Sequence, residues 1–125
     1  MFDIDIERNF SAAHTLIGYK GDCSNLHGHN WLVQATIRTE FLDEIGIAVD
    51  FKKLKKEVET ILEEFDHTCI NEHSEFKEKN PTSENLAFVI ANALSDKMNT
   101  DTIKVYKVRV CESPNSGATY YPQGV

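Results

Sequence analysis

Residues 2 to 14 alternate in polarity: Phe2, Ile4, Ile6, Phe10, Ala12 and His14 share one parity, while Asp3, Asp5, Glu7 and Asn9 take the other. A period of two marks a strand with one buried face, so a long strand of a half-buried sheet is expected from the first residues onward. A loop-like stretch from Gly18 to Asn25, containing Gly21 and Asp22, separates it from a second alternation. There Trp31, Val33, Ala35 and Ile37 interleave with Gln34, Thr36 and Arg38. His27 and His29 fall on the apolar parity of the second run, as His14 does on that of the first. All three histidines are therefore expected on the side of the sheet turned away from bulk water.

The period then changes. Asp50 is a candidate N-cap, and Phe51, Leu54, Val58, Ile61, Leu62 and Phe65 follow at helical spacing. Asp66-His67 comes where that stripe ends, and the polar stretch from Glu72 to Asn80 has no clear period. Pro81-Thr82-Ser83-Glu84 supplies a second helix start, with Thr82 or Ser83 as cap, continued by Leu86, Val89, Ile90, Ala93, Leu94 and Met98. A last strand pair is expected from Tyr106, Val108, Val110 and Glu112 on one parity, a Pro114-Asn115-Ser116-Gly117 turn, and Ala118 to Tyr121. Strand, strand, helix, helix, strand pair describes an α+β domain, a four-stranded antiparallel sheet with two helices packed on one face. The 125 residues form one such domain, residues 1–125, without repeat or linker. The other face of the sheet meets either water or another subunit.

Composition narrows the function. A formal net charge of −7 is the wrong sign for a general nucleic-acid or anionic-membrane binder. The basic run Lys52, Lys53, Lys55 and Lys56 shares its helix with Glu57, Glu59, Glu63 and Glu64 and reads as a solvated face. No apolar run reaches the ~18 residues of a membrane span, and the acidic N-terminus does not resemble a secretion signal. Three cysteines, Cys23, Cys69 and Cys111, without a CxxC pair, argue against a disulfide framework or a zinc ribbon. Reduced thiols fit a cytoplasmic protein.

The chemistry concentrates in Cys23-Ser-Asn-Leu-His27-Gly-His29. Residues two apart on a strand point the same way, so His27 and His29 can share one ion. Catalytic zinc commonly takes three protein ligands and keeps a fourth position open, which His14, His27 and His29 would satisfy. Cys23 then has two readings, a fourth ligand closing a structural site or a thiolate whose pKa the metal lowers. Cys69 and Cys111 lie among apolar neighbours and read as structural. Asp66-His67 is the best acid/base candidate, since imidazole titrates near neutrality and a carboxylate or a helix C-terminus favours its charged form. Glu112 lies on an apolar parity, where a carboxylate would need donors. A guanidine-like edge with two parallel N–H groups, as in a pterin or guanine, matches it bidentately.

Phe10-Ser11-Ala12-Ala13-His14, Cys23-x3-His27-Gly-His29-Asn30, Asp66-His67, Pro81-Thr82-Ser83-Glu84-Asn85-Leu86-Ala87 and Glu112-Ser113-Pro114 together resemble the 6-pyruvoyltetrahydropterin synthase family. Within it, the chain is most similar to the bacterial branch that works in queuosine (7-deazaguanine) biosynthesis. Trp31, where the family usually has Tyr or Phe, and Ser113, where Thr is common, depart from the pattern. The resemblance implies a tunnelling fold, in which trimers close their sheets into a barrel and pair as hexamers, with active sites at subunit interfaces. It implies zinc on His14, His27 and His29, proton transfer by Cys23 with Asp66 and His67, and a pterin anchored by Glu112 with help from Thr82 and Ser83. The implied reaction converts 7,8-dihydroneopterin triphosphate to 6-carboxytetrahydropterin, releasing acetaldehyde and triphosphate. Elimination of triphosphate alone, to the pyruvoyl product, and a zinc-stabilised pterin-binding protein without catalysis are the competing readings. Lys20, Lys104 and Arg109 are candidates for the triphosphate.

Overall fold

The computed structural model describes residues 1–19 and 25–124. Two long strands, β1 (Phe2–His14) and β2 (His27–Thr39), pair antiparallel from Phe2 opposite Thr39 to His14 opposite His27. After two helices the chain returns as β3 (Ile103–Ser113) and β4 (Ser116–Tyr120), giving a sheet in the order β1-β2-β3-β4 with β1 and β4 at its edges. From Ile6 onward the polarity of β1 is as expected, with Ile6, Phe10, Ala12 and His14 buried and Asp3, Asp5 and Glu7 exposed on the opposite face; Phe2, at the strand's start, is exposed and Ile4 half-buried.

The helices α1 (Phe51–Leu62) and α2 (Ser83–Met98) begin where their caps predict. Asp50 accepts a hydrogen bond from the Lys52 N–H at 2.8 Å. Thr82, rather than Ser83, caps α2, its hydroxyl accepting from the Asn85 N–H at 3.1 Å. Leu54, Val58, Ile61 and Leu62 from α1, with Leu86, Ala87, Ile90, Ala91, Leu94 and Met98 from α2, close over Trp31, Val33, Ala35, Ile37, Val105, Val108 and Val110. Each Val, Leu, Ile or Met among them contributes about 1.5–3 kcal/mol by leaving water. Among the described residues no helix is long and apolar enough to cross a membrane.

Three expectations are corrected. Tyr106 does not share the parity of Val108 and Val110: the register shifts between Thr36 and Ile37, so Ile37 faces Val105 and Thr36 faces Lys107. This extra residue turns Tyr106 to the open face of the sheet, beneath the Arg38 guanidinium at 3.4 Å from its ring centroid. Helix α1 stops at Leu62, so Phe65 belongs to the following turn, although its ring is buried against Phe10 and Phe76. The final hairpin turns tightly on Pro114-Asn115, and β4 already begins at Ser116 opposite Ser113.

On the open face, Arg38 grips the Asp3 carboxylate with two bonds of 2.7 and 2.8 Å, and Gln34 donates to Glu7 at 2.6 Å. Along the β1 edge, the segment after α1 continues the ladder: the His67 N–H donates to Ser11 O at 2.6 Å and the Ala13 N–H to Thr68 O at 2.9 Å. A parallel bridge then joins Ala13 to Cys69.

Candidate active site

His14 ends β1 directly opposite His27, and His29 lies opposite Ala12, so pleat and register bring three imidazoles together at one end of the sheet. Their ring centroids are 4.6 to 5.2 Å apart. One nitrogen from each ring comes within 4.8 Å of the others. His14 Nδ1 lies 2.8 Å from the Pro81 carbonyl and His27 Nδ1 2.6 Å from the Asn25 carbonyl. A carbonyl only accepts, so each Nδ1 carries the proton and each Nε2 keeps its lone pair. Those two Nε2 atoms face each other at 3.0 Å. His29 Nε2 is buried and has no hydrogen-bond partner among the described residues.

Converging lone pairs and an orphaned buried nitrogen are what a cation resolves. Tetrahedral zinc, ~2.0–2.1 Å from each nitrogen, sets ligand nitrogens about 3.3 Å apart, close to the 3.0 Å between the Nε2 atoms of His14 and His27. The protonation states agree. Burial, above all, lowers the pKa of His14, against the Pro81 hydrogen bond that raises it; burial also lowers that of His29, against nearby Glu112. In both rings burial favours the neutral form, the one that binds metal.

Trp31 is the floor of this cluster. Its ring is 0% exposed, stacks on Phe10 at 5.8 Å, meets His14 and His29 edge-on at 4.9 and 5.3 Å, and donates its indole N–H to Ala12 O at 3.2 Å. Glu112 reaches the rim. Its Oε2 lies 3.3 Å from His29 Nε2 and 3.7 Å from His14 Nε2, within ion-pair range but outside hydrogen-bond alignment. The expectation that this carboxylate is buried is corrected: 38% of its side chain is exposed, since the register slips again between Cys111 and Ser113 near the strand end. It does lie on the histidine side of the sheet.

Asp66 and His67 follow α1 by a turn rather than ending it, so the helix terminus does not hold the imidazole. What holds them is the β1 edge. Asp66 Oδ1 accepts from the Ser11 N–H at 2.9 Å and lies 3.0 Å from His67 Nδ1, and the Ser11 bond is the main cause of its lowered pKa. His67 adopts a left-handed backbone, φ 59°, and its side chain is 82% exposed. A non-glycine residue is held there only by surrounding bonds, and such strain gathers at functional positions. Ser11 also donates its hydroxyl to Asn30 Oδ1 at 2.8 Å.

Thr82 and Ser83 start α2 immediately after the Pro81 carbonyl that orients His14. Cys23 and Lys20 lie outside the described residues. Lys104 and Arg109 do not converge on the histidines: Arg109 faces Gln34, five positions along β2 from His29 and on the opposite face, and Lys104 pairs with Arg38 farther along. The two carbonyls that set the histidine tautomers were missed in the sequence, because a backbone group has no letter of its own. Ser11 sits beside His14 in the Phe10-Ser11-Ala12-Ala13-His14 motif, but only the strand edge reveals its partners.

A sheet covered on one face by two helices, with three imidazoles converging at its end, defines a member of the tunnelling-fold class with a candidate metal centre. The model of the family described as 6-pyruvoyl tetrahydropterin synthase matches residues 3–123. The chain is 32% identical to the 6-carboxy-5,6,7,8-tetrahydropterin synthase of Bacillus subtilis, over 98% of this chain and 86% of that one. The solved 6-pyruvoyl tetrahydropterin synthase of Caenorhabditis elegans superposes with a TM-score of 0.80 at 34% identity, covering 97% and 96% of the two chains. The Plasmodium vivax 6-pyruvoyltetrahydropterin synthase shares the fold, with a TM-score of 0.75 at 22% identity over 95% and 96%. The chain belongs to the 6-pyruvoyl tetrahydropterin synthase family and has its tunnelling fold.

Proposed function

We propose that the chain is a zinc-dependent 6-carboxytetrahydropterin synthase of queuosine biosynthesis, a carbon-carbon lyase acting on 7,8-dihydroneopterin triphosphate with release of acetaldehyde and triphosphate. The observation that carries this reading is the three-histidine cluster with its orphaned His29 Nε2. The similarity to the 6-carboxy-5,6,7,8-tetrahydropterin synthase of Bacillus subtilis supports the carboxy branch. His14, His27 and His29 would hold zinc, which when bound polarises the substrate side-chain oxygens and steadies negative charge developing there.

The remaining steps fall to this chain's own groups. Cys23, freed from ligand duty by the third histidine, removes a proton from the side chain as thiolate. His67, paired with the Asp66 carboxylate, carries protons on the other side. Glu112 takes the guanidine-like edge of the pterin through two parallel hydrogen bonds, with Thr82 and Ser83 alongside. The imidazole of His67, 82% exposed, suits a site completed by a second copy, so the unit is a homo-oligomer, trimer or hexamer, with active sites at subunit interfaces. One domain spans residues 1–125, and the unpaired Cys69 and Cys111 accord with the cytoplasm.

The Caenorhabditis elegans structure, at similar identity, favours the pyruvoyl branch as the second reading. Incubation with dihydroneopterin triphosphate separates them. The carboxy product with stoichiometric acetaldehyde supports the proposal; pyruvoyl product without acetaldehyde moves the chain to the other branch. Bound pterin with no turnover leaves a binding protein.

A further inference from the structure

Strand β1 ends at His14, yet the backbone beyond it stays tied down. The Thr15 N–H donates to Asn71 Oδ1 at 2.9 Å, and Asn71 Nδ2 donates back to Thr15 O at 2.9 Å. Two residues on, the Ile17 N–H donates to Asn80 Oδ1 at 2.9 Å and Asn80 Nδ2 returns to Ile17 O at 2.8 Å. Alternate residues of an extended chain offer both backbone groups to one edge. Two side-chain amides here stand in for a neighbouring strand.

Both amides belong to segments that also grip His14. On one side the Ala13 N–H donates to Thr68 O at 2.9 Å, so residues 68–71 hold the positions immediately before and after the histidine. On the other, the Asn80 carbonyl accepts from the Thr82 N–H at 2.9 Å and from Asn85 Nδ2 at 2.8 Å, closing the turn in which Pro81 O meets His14 Nδ1. Asn80 thus fixes the chain after His14 with its side chain and the imidazole itself through the next residue.

We propose that Asn71 and Asn80 are positioning residues that clamp the end of β1 and so aim His14 Nε2 at the metal. The inference rests on reading His14, His27 and His29 as a metal centre. Each amide uses donor and acceptor together, so the isosteric Asn→Asp change removes the N–H donors and sets a carboxylate oxygen against a backbone carbonyl. The negative charge it adds would by itself favour a cation, so weaker binding cannot be a simple charge effect.

The test is competition for zinc between a chromogenic chelator and the purified full-length chain, at a temperature where circular dichroism shows every variant folded. Asn80→Asp and Asn71→Asp should each weaken zinc about 10- to 100-fold, the range typical of groups that orient a ligand. Asn80→Ala, which brings no charge, serves if an aspartate variant does not fold. The control is Asn99→Ala, which deletes a comparable side-chain acceptor, 2.8 Å from the Val105 N–H, at the far end of α2. It should lower the melting temperature and leave zinc affinity unchanged. Clamp variants binding zinc like the parent, or Asn99→Ala weakening it equally, would overturn the proposal while the metal centre stands. A parent chain that takes up no zinc would remove both.

Discussion

Replacing Trp31 tests whether the histidine cluster is built on a rigid floor. The ring is fully buried, lies nearly parallel to Phe10, with 6° between planes, and meets two imidazoles edge-on. Truncation to alanine forfeits the transfer energy and opens a cavity, a loss of about 3–5 kcal/mol. Aromatic contacts worth ~0.5–1.5 kcal/mol beyond area put the value near the top of that range. A chain of this size has only about 5–15 kcal/mol to lose. Trp31→Phe keeps a ring against Phe10 and gives up volume and the bond to Ala12 O, itself worth about 0.5–1.5 kcal/mol. Urea denaturation of the metal-free variants, followed by far-ultraviolet circular dichroism because Trp31 is the sole tryptophan, measures both. The expected order is Ala far below Phe, with Phe below the parent. A Trp31→Ala loss under about 1 kcal/mol, the scale of ordinary surface changes, would refute the floor.

Glu112→Gln should retain zinc and raise the KM for the pterin roughly ten- to a hundredfold, the worth of hydrogen bonds to a charged group; loss of zinc would assign the carboxylate to the metal instead. Cys23→Ala should keep zinc and fold while turnover disappears, as metal analysis beside a product assay can read. His67→Gly relieves a left-handed backbone at a modest cost in chain entropy, so its melting temperature should not fall while turnover does. A drop of several degrees would show that the imidazole supports the fold. Asp66 has its folded-state pKa depressed below 3.8, so its contribution is present above the unfolded value and fades as pH falls through the folded one. Melting curves of the parent and Asp66→Asn should therefore differ near neutrality and merge in strong acid; a gap that persists there would contradict the sign.

The period-two stretches and the helix caps were legible because each rests on local geometry: Asp50 and the parity of Phe10, Ala12 and His14 need no distant partner. Tyr106 misled because one inserted residue inverts every side chain beyond it, and nothing in the letters marks the bulge. Phe65 continued the helical spacing of α1 by chance of packing, its ring meeting Phe10 from a turn. The three histidines were readable from strand parity and their meeting followed from register. What Asp66 and His67 rest on was not readable, since their supports are the backbone groups of Ser11, 55 residues away from Asp66 in sequence. The aperiodic polar stretch to Asn80 offered no pattern at all, although it ends in one of the two amides that tie down the chain beyond β1.

The acids on the open face of β1 also bear on how two copies could pair. Two copies meeting β1 to β1 would set Asp3, Asp5 and Glu7 beside their own duplicates, and like charges across a strand pair repel. Strand β4 carries no charged residue. Its edge would accept a foreign β1 without that conflict, and a head-to-tail contact of that kind would close into rings or run on as filaments. A few carboxylates on one strand thus weigh against the β1-to-β1 pairing that an exposed edge would otherwise invite.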